Sequence, residues 1–274
     1  MENNEKNILV PWDFTPTSVY SLEHAVNIAK VMGQNIILVH ITEKSHDIAS
    51  THDKLKVISV EMSAKHNIPI GVLVKHGKVY KKIGELASLP ETALVVMKTD
   101  GIKGWQKYFG SNAIKIIRGS KIPFIVIQQP PISKMFERIV YPIDYRTENK
   151  ELVSYLLFMT KYYQSKIYIY KMFTNDQFHK KGIANNINFA KSLFESKHLD
   201  FEIIKADGKG DTADELLNFA NSVKADLIVT QLQRHLTLTK FLMGVKEQKI
   251  IANRYKIPVV CLNPKELTVY AGFH

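Results

Sequence analysis

Cysteine is nearly absent from this chain, as are long apolar runs. Among 274 residues only Cys261 is a cysteine, which excludes an internal disulfide and a cysteine-ligated zinc site. No apolar run approaches the roughly eighteen residues that are needed to cross a bilayer. The first six residues are polar and lack the apolar segment that is typical of a secretion signal. We therefore expect a soluble, cytoplasmic protein with no membrane partner and a buried, unreactive thiol.

Motifs for metal and hydrolase chemistry are missing as well. The ten histidines include no His-x3-His pair, so no dedicated metal site is expected. The sequence has no Gly-x-Ser-x-Gly elbow and no Gly-x4-Gly-Lys-Ser/Thr loop. These absences disfavour the hydrolase and motor-NTPase classes.

The basic charge is evenly spread. The net charge of +11 divides into +5 for residues 1–130 and +6 for the rest, and no run of five basic residues occurs. A nucleic-acid footprint would cluster along one stripe or helix. We expect no nucleic-acid partner and a solvated basic surface, with attraction to acidic partners as the alternative.

One pattern occurs twice. An apolar strand ends in Pro-x-Asp at Asp13 and again at Asp144, 131 residues later. Each half closes with a strand that begins Lys-Ile-Pro, and its prolines, Pro123 and Pro258, lie 135 residues apart. This spacing is far longer than the repeat of a solenoid, so it indicates a duplicated domain.

Strand and helix patterns alternate in both halves, and the first helix is predicted to be capped by Thr15 or Thr17 and to be ended by Gly33. Apolar strands without polar alternation are typical of parallel sheets covered by helices on both faces. The sequence therefore predicts an α/β fold of two tandem doubly wound five-stranded parallel sheets, at residues 1–129 and 134–274. The predicted strands are Asn7–Pro11, Asn35–Ile41, Ile68–Val74, Ala93–Met97 and Phe124–Gln128, then Arg138–Tyr141, Lys166–Met172, Asp200–Lys205, Asp226–Thr230 and Pro258–Leu262.

A ligand site is predicted at the first strand. In open parallel sheets, ligands bind beyond the carboxyl ends of the strands where strand order reverses, which places the turn ending at Asp13 in the cleft. The loop after the fourth strand contains Gly110 and Ser111 directly before a predicted helix at Asn112–Ile117. Backbone N–H groups at a helix start suit phosphate oxygens.

Four stretches of the first half carry a family resemblance: Leu9–Asp13, Ile36–Ile41, Leu94–Met97 with the following loop to Ser111, and Ile122–Ile127. They resemble the universal stress protein family, and the resemblance covers essentially the whole chain as a tandem pair. It implies an adenine nucleotide alpha-hydrolase-like fold with strand order 3-2-1-4-5, and many family members bind ATP through a Gly-x2-Gly-x9-Gly-Ser/Thr loop.

The resemblance also implies roles for individual residues. Asp13 would meet ribose or a phosphate-bound Mg²⁺, Ile41 would lie near adenine, and the loop would cradle phosphates. ATP, with Mg²⁺, is thus the implied cofactor. The nucleotide-binding residues implied are Pro11, Asp13, Ile41, Lys98, Gly101, Gly110 and Ser111.

The chain departs from the family pattern in both halves. Lys98 stands where the family's first glycine falls, and eight residues separate Gly101 from Gly110 where nine are expected. A lysine prevents the close backbone approach of a glycine but offers charge to a phosphate. In the second half Val245 replaces the phosphate-binding hydroxyl, so Asp144 is interpreted as a turn and cap residue and nucleotide is expected only in the first half.

Three functional classes follow. We favour a stress-associated binding or signalling protein, with an ATP-hydrolysing enzyme and a ligand-independent interaction protein as alternatives; the sequence assigns no catalytic base. Protein partners are not identified. An intramolecular pseudo-dimer is expected through antiparallel pairing of the strands Phe124–Gln128 and Pro258–Leu262, with further homo-oligomers open.

Overall fold

A computed structural model describes residues 6–99, 117, 120, 122–133, 136–231 and 244–263. The chain divides into two compact units, residues 1–134 and 135–274. Each unit alternates strands and helices in the order that the sequence predicts.

The first unit contains a fully parallel sheet. Its strands follow the order β3-β2-β1-β4-β5, so the first strand lies where the order reverses. The predicted fold class and strand order are therefore confirmed. The elements are β1 (Asn7–Pro11), α1 (Ser18–Met32), β2 (Asn35–Thr42), a 3-10 turn (Ser45–Asp47), α2 (Ile48–His66), β3 (Ile70–His76), α3 (Val79–Ala87), β4 (Thr92–Lys98) and β5 (Phe124–Ile127).

The second unit repeats this topology. Its parallel strands follow the order β8-β7-β6-β9-β10, which is again 3-2-1-4-5 within the unit. The elements are β6 (Arg138–Ile143), α4 (Asn149–Thr160), β7 (Lys166–Lys171), α5 (Gln177–Ser196), β8 (Phe201–Lys205), α6 (Thr212–Ser222), β9 (Leu227–Gln231), α7 (Gly244–Ile251) and β10 (Val259–Leu262).

The central strands form the core of each unit. In β4 six consecutive residues are buried, and all four residues of β5 and of β10 are buried. Both faces of these strands are therefore covered, which is why they read as unbroken apolar runs. Within the described ranges, no helix combines the length and apolar composition needed to cross a bilayer.

The two ends of α1 differ in how their backbone groups are capped. Gly33 ends α1 with a φ of 64°, a left-handed conformation that glycine adopts without strain, as expected. Thr17 occupies the position before α1, but neither its hydroxyl nor that of Thr15 caps the helix, because no side-chain cap bond forms there. The predicted helix at 112–117 lies outside the described residues apart from Ile117.

The strand registers align the two units residue by residue. Leu9 pairs with Val95 in the first unit, and Val140 pairs with Ile228 in the second. Leu9 and Val140 both precede the proline of Pro-x-Asp by two residues, so Val95 and Ile228 are equivalent positions. Three residues further along, the last residue of β4, Lys98, is therefore equivalent to Gln231 at the end of β9.

Candidate functional site

The carboxyl ends of β1 and β4 bring a lysine to the predicted ligand turn. The Lys98 Nζ lies 3.2 Å from Asp13 Oδ2 and donates hydrogen bonds to Thr15 Oγ1 at 2.5 Å and Thr17 Oγ1 at 2.6 Å. Thus the position that carries glycine in the family pattern supplies a charged group. Its ammonium is held by a carboxylate and two hydroxyls.

Asp13 is the acceptor at the centre of this cluster. Its Oδ1 accepts hydrogen bonds from the Thr15 backbone N–H at 3.1 Å, from Thr15 Oγ1 at 2.7 Å and from Ser18 Oγ. Burial pushes the pKa of Asp13 upward, but the hydrogen bonds from Ser18, Thr15 and Lys98 outweigh it and hold the pKa below its usual value. The carboxylate is therefore ionised at neutral pH.

The pair of Asp13 and Lys98 is largely removed from water. The Lys98 side chain is 10% exposed and that of Asp13 is 27% exposed. Their attraction is screened less than that of a surface pair, and the hydroxyls compensate for lost hydration. The remaining exposure leaves part of the Asp13 side chain in contact with solvent.

An aromatic pair lies beside Asp13. Phe14 has a φ of 59°, unusual for a residue with a side chain, and its ring centroid is 4.8 Å from that of His40. The His40 Nδ1 lies 2.7 Å from the Trp12 carbonyl oxygen. Because a carbonyl only accepts, this nitrogen carries the ring proton. The contact fixes the turn that presents Asp13.

The structure locates the predicted site residues that it describes. Pro11 ends β1, and Asp13 and Lys98 meet beyond it. Ile41 is buried near the end of β2, the strand adjacent to β1. Gly101, Gly110 and Ser111 lie outside the described residues.

Sequence reasoning missed the hydroxyls of this cluster. Thr15 and Thr17 were interpreted as helix caps, whereas both accept from Lys98, and Ser18 donates to Asp13. Three hydroxyl residues within five positions of Asp13 were the available signal. The Thr15 and Thr17 hydroxyls contact Lys98 at the end of β4, and the Ser18 hydroxyl contacts Asp13.

The second unit pairs its aspartate differently. Asp144 Oδ2 accepts from Arg146 Nε at 2.7 Å and lies 2.5 Å from Arg146 Nη2, while Oδ1 accepts from Asn149 Nδ2 at 2.7 Å. Arg146 is equivalent to Thr15 in the first unit. The cation therefore comes from the turn itself and not from the end of β9.

Gln231 completes the second cluster. With its amide oriented so that the oxygen faces the guanidinium, it accepts from Arg146 Nε and Nη2, each at 3.0 Å. The neutral amide thus contacts the cation that neutralises Asp144. In the first unit the equivalent position is itself the cation.

Asp144 acts as a turn residue but does not cap α4. Its Oδ1 accepts the Arg146 backbone N–H at 3.0 Å, as expected of an aspartate in a turn. The helix begins only at Asn149, and no side chain caps its start. The cap interpretation is wrong because the first backbone amides of the helix, at Asn149, Lys150 and Glu151, donate to the carbonyl oxygens three residues before them.

The chemistry of the first cluster suits a polar ligand with hydroxyl and phosphate groups. An ionised carboxylate accepts from ribose hydroxyls, and an ammonium donates to phosphate oxygens. Lys98 adds a charged side chain at the position where the family pattern has glycine. Among the described residues, no three His, Cys, Asp or Glu side chains cluster as a metal site would require.

Comparisons with known proteins agree with the fold and the first-unit motif. Residues 5–128 match the sequence profile of the Universal stress protein family. A universal stress protein of Methanocaldococcus jannaschii is 25% identical over 146 residues, which cover 47% of this chain and 85% of that protein. The crystal structure of a universal stress protein from Archaeoglobus fulgidus superposes with a TM-score of 0.74 at 15% identity, over 95% of this chain and 98% of the other.

The family profile covers the first unit, which carries the Pro-x-Asp turn and its paired lysine. The superposition extends the same fold over both units. The first unit therefore matches the Universal stress protein family over residues 5–128, and the chain as a whole has the fold of a solved universal stress protein.

Proposed function

We propose that this stress-associated protein binds an adenine nucleotide, such as ATP with Mg²⁺, in its first unit only. The observation that carries the proposal is the Asp13 carboxylate, ionised and 27% exposed at the strand-order reversal, with the Lys98 ammonium 3.2 Å away. A ribose and a phosphate need an acceptor and a cation at this edge. Pro11 and Ile41 complete the proposed ribose and adenine contacts.

The contacts of Asp144 in the second unit support binding in the first unit only. Asp144 is held by Arg146 and Asn149, and the guanidinium is also held by Gln231. A ligand hydroxyl would have to displace a bidentate arginine, which is costlier than displacing one ammonium contact. We therefore assign this cluster a structural role.

A ligand-independent interaction protein is the second candidate. It is favoured by the three acceptors around Lys98, namely the Asp13 carboxylate and the Thr15 and Thr17 hydroxyls, which stabilise the ammonium without a ligand. The cytoplasmic location, the pairing of the two copies and the absence of catalysis stay predictions.

Thermal unfolding with Mg²⁺ and ATP tests the proposal. A ligand selective for the native state stabilises it by about 2.7 kcal/mol at a hundredfold excess over Kd. We expect ATP with Mg²⁺ to raise the unfolding temperature of the parent chain and of Asp144→Asn, but to raise that of Asp13→Asn only slightly. Each shift is measured against the same variant without ligand, so a change in intrinsic stability cancels.

The phosphate loop supplies a second pair of variants. The shift should persist in Val245→Ser and fall in Ser111→Val. An equal loss in Asp13→Asn and Asp144→Asn would overturn the assignment to the first unit. No shift at millimolar ATP would favour the ligand-independent class.

A further inference from the structure

Lys98 places a positive charge beside the carboxylate that the proposed function assigns to ribose. This inference rests on that function and concerns which nucleotide the site selects. We infer that the first unit prefers adenosine nucleotides that carry a phosphate on the 2′- or 3′-hydroxyl of the ribose over those with both hydroxyls free.

The distance between the two charges limits where such a phosphate would lie. A free ribose hydroxyl that donates to Asp13 Oδ2 at about 2.8 Å has its oxygen within about 6 Å of the ammonium, because the two groups are 3.2 Å apart. A phosphate on the neighbouring ribose oxygen leaves this hydroxyl free to donate and lies within reach of Lys98. A 5′-phosphate lies on the other side of the sugar ring.

Charge decides which groups the site tolerates. A bare carboxylate accepts a ribose hydroxyl but repels a phosphate at this distance. In dinucleotide-binding folds a carboxylate reads the free 2′-hydroxyl, whereas a nearby cation accommodates the 2′-phosphate. Lys98 supplies such a cation next to Asp13, whereas the equivalent residue of the second unit, Gln231, is neutral.

The hydroxyls add donors for the same phosphate. Thr17 Oγ1 accepts from Lys98, and because Thr15 Oγ1 donates its only proton to Asp13, Thr17 is the donor in the 3.2 Å contact between the two threonine hydroxyls. A phosphate beside Thr17 would accept this proton in place of Thr15 Oγ1. Thr17 makes no cap bond with α1, so its hydroxyl is not committed to the helix backbone. An ammonium and a hydroxyl thus converge on one position beside the ribose carboxylate.

Calorimetric titration of the full chain tests the inference with three probes that share a 5′-phosphate. These are adenosine 5′-monophosphate, adenosine 2′,5′-bisphosphate and adenosine 3′,5′-bisphosphate. We expect at least one bisphosphate to bind about tenfold or more tightly than the monophosphate, the effect of one charge-assisted hydrogen bond. This comparison needs no variant.

The second unit suggests the variant for a matched comparison. Lys98→Gln installs the residue found at the equivalent position 231 and should reduce the preference to about twofold or less, whereas Lys98→Arg should keep it. Lys56→Gln removes one positive charge from the exposed face of α2 and should leave it unchanged. Circular dichroism confirms that each variant is folded.

The outcomes separate the two proposals. Equal binding of all three probes by the parent chain, or a preference that survives Lys98→Gln, would overturn the selectivity while the nucleotide site stands. Binding of none of them, nor of ATP, would overturn both. A preference lost in Lys98→Gln and kept in Lys98→Arg supports the inference.

Discussion

The Lys98 ammonium lies 3.2 Å from the Asp13 carboxylate, although 85 residues separate them in the sequence. This contact joins the turn after β1 to the end of β4, the two elements that border the proposed site. The second unit makes the equivalent link through Arg146 and Gln231. Both units therefore neutralise the aspartate of Pro-x-Asp, with cations that come from different elements.

A double-mutant cycle on this pair should show strong coupling. We expect Lys98→Met to lower the free energy of unfolding by about 1–3 kcal/mol, less than for a fully buried pair because Ser18 and Thr15 still hold Asp13. Combined with Asp13→Asn, the cycle should give a coupling energy of about 1–2 kcal/mol in urea unfolding. Lys82→Met, at an exposed pair with Glu85, should change little. Coupling near zero would contradict a stabilising contact.

The same carboxylate should make stability sensitive to acid. Hydrogen bonds hold the pKa of Asp13 below its ordinary value despite burial, so the unfolded chain binds a proton at higher pH than the folded one. The stabilisation is complete above the ordinary pKa and is lost as pH falls through the folded value. Asp13→Asn removes this dependence on pH. The difference in free energy of unfolding between the parent chain and Asp13→Asn should therefore narrow below about pH 4. A difference that stays constant below about pH 4 would contradict the lowered pKa of Asp13.

The fold was predictable because its signals are local and repeated. Burial on both faces makes β4 and β5 continuous apolar runs, and Gly33 ends α1 with the left-handed conformation that glycine favours. The duplication supplied each signal twice. Strand order came from the family resemblance, since periodicity alone does not specify which strands pair.

The site was only partly predictable because its contacts are distant in sequence. The position of Lys98 in the family pattern indicated a charge at the phosphate loop, but the partner of that charge depends on the register between β1 and β4. The same holds for Arg146 and Gln231. Hydroxyls at Thr15 and Thr17 fit a helix cap equally well by spacing, and only the nearby ammonium decides between the two roles.

The lone cysteine should be inert in the folded protein. Cys261 is fully buried in β10, and desolvation raises the pKa of its thiol well above the ordinary value. We expect no reaction with a thiol-specific disulfide reagent under native conditions and one equivalent of reaction in denaturant. Rapid native labelling at pH 8 would contradict the burial of this strand.

Gly182 in α5 should not tolerate a methyl group. A Cβ there would lie 2.8 Å from the backbone oxygen of Tyr145, which is part of the turn that carries Arg146. Alanine normally stabilises a helix interior by up to about 1 kcal/mol relative to glycine, so destabilisation by Gly182→Ala would reveal the close contact. We expect a net loss of about 1–3 kcal/mol in urea unfolding, as for other overpacked sites. Asn185→Ala, at an exposed position of the same helix, should be neutral or slightly stabilising, and a similar gain at Gly182 would contradict the contact.

His24 should make stability fall between about pH 6.5 and pH 4. The ring is 5% exposed, and its Nε2 lies 3.1 Å from the Gln129 carbonyl oxygen, to which the neutral ring donates its proton. Burial lowers the pKa of His24 to about 4, although the bond to Gln129 acts in the opposite direction. The unfolded chain is therefore protonated first as pH falls. The contribution of the neutral His24 ring to the free energy of unfolding is complete above about pH 6.5. It declines by up to about 1.4 kcal/mol per pH unit as the pH falls towards about 4.

His24→Gln tests this dependence, because a glutamine amide still donates to the carbonyl but does not titrate. Its free energy of unfolding, measured in urea between pH 7.5 and pH 4, should decline less steeply than that of the parent chain, with the gap growing to about 3 kcal/mol at the acid end. His46→Gln, at an exposed side chain, should follow the parent. Parallel pH profiles for the parent chain and His24→Gln would show that the ring is hydrated, and that its contact with Gln129 opens freely in the native state.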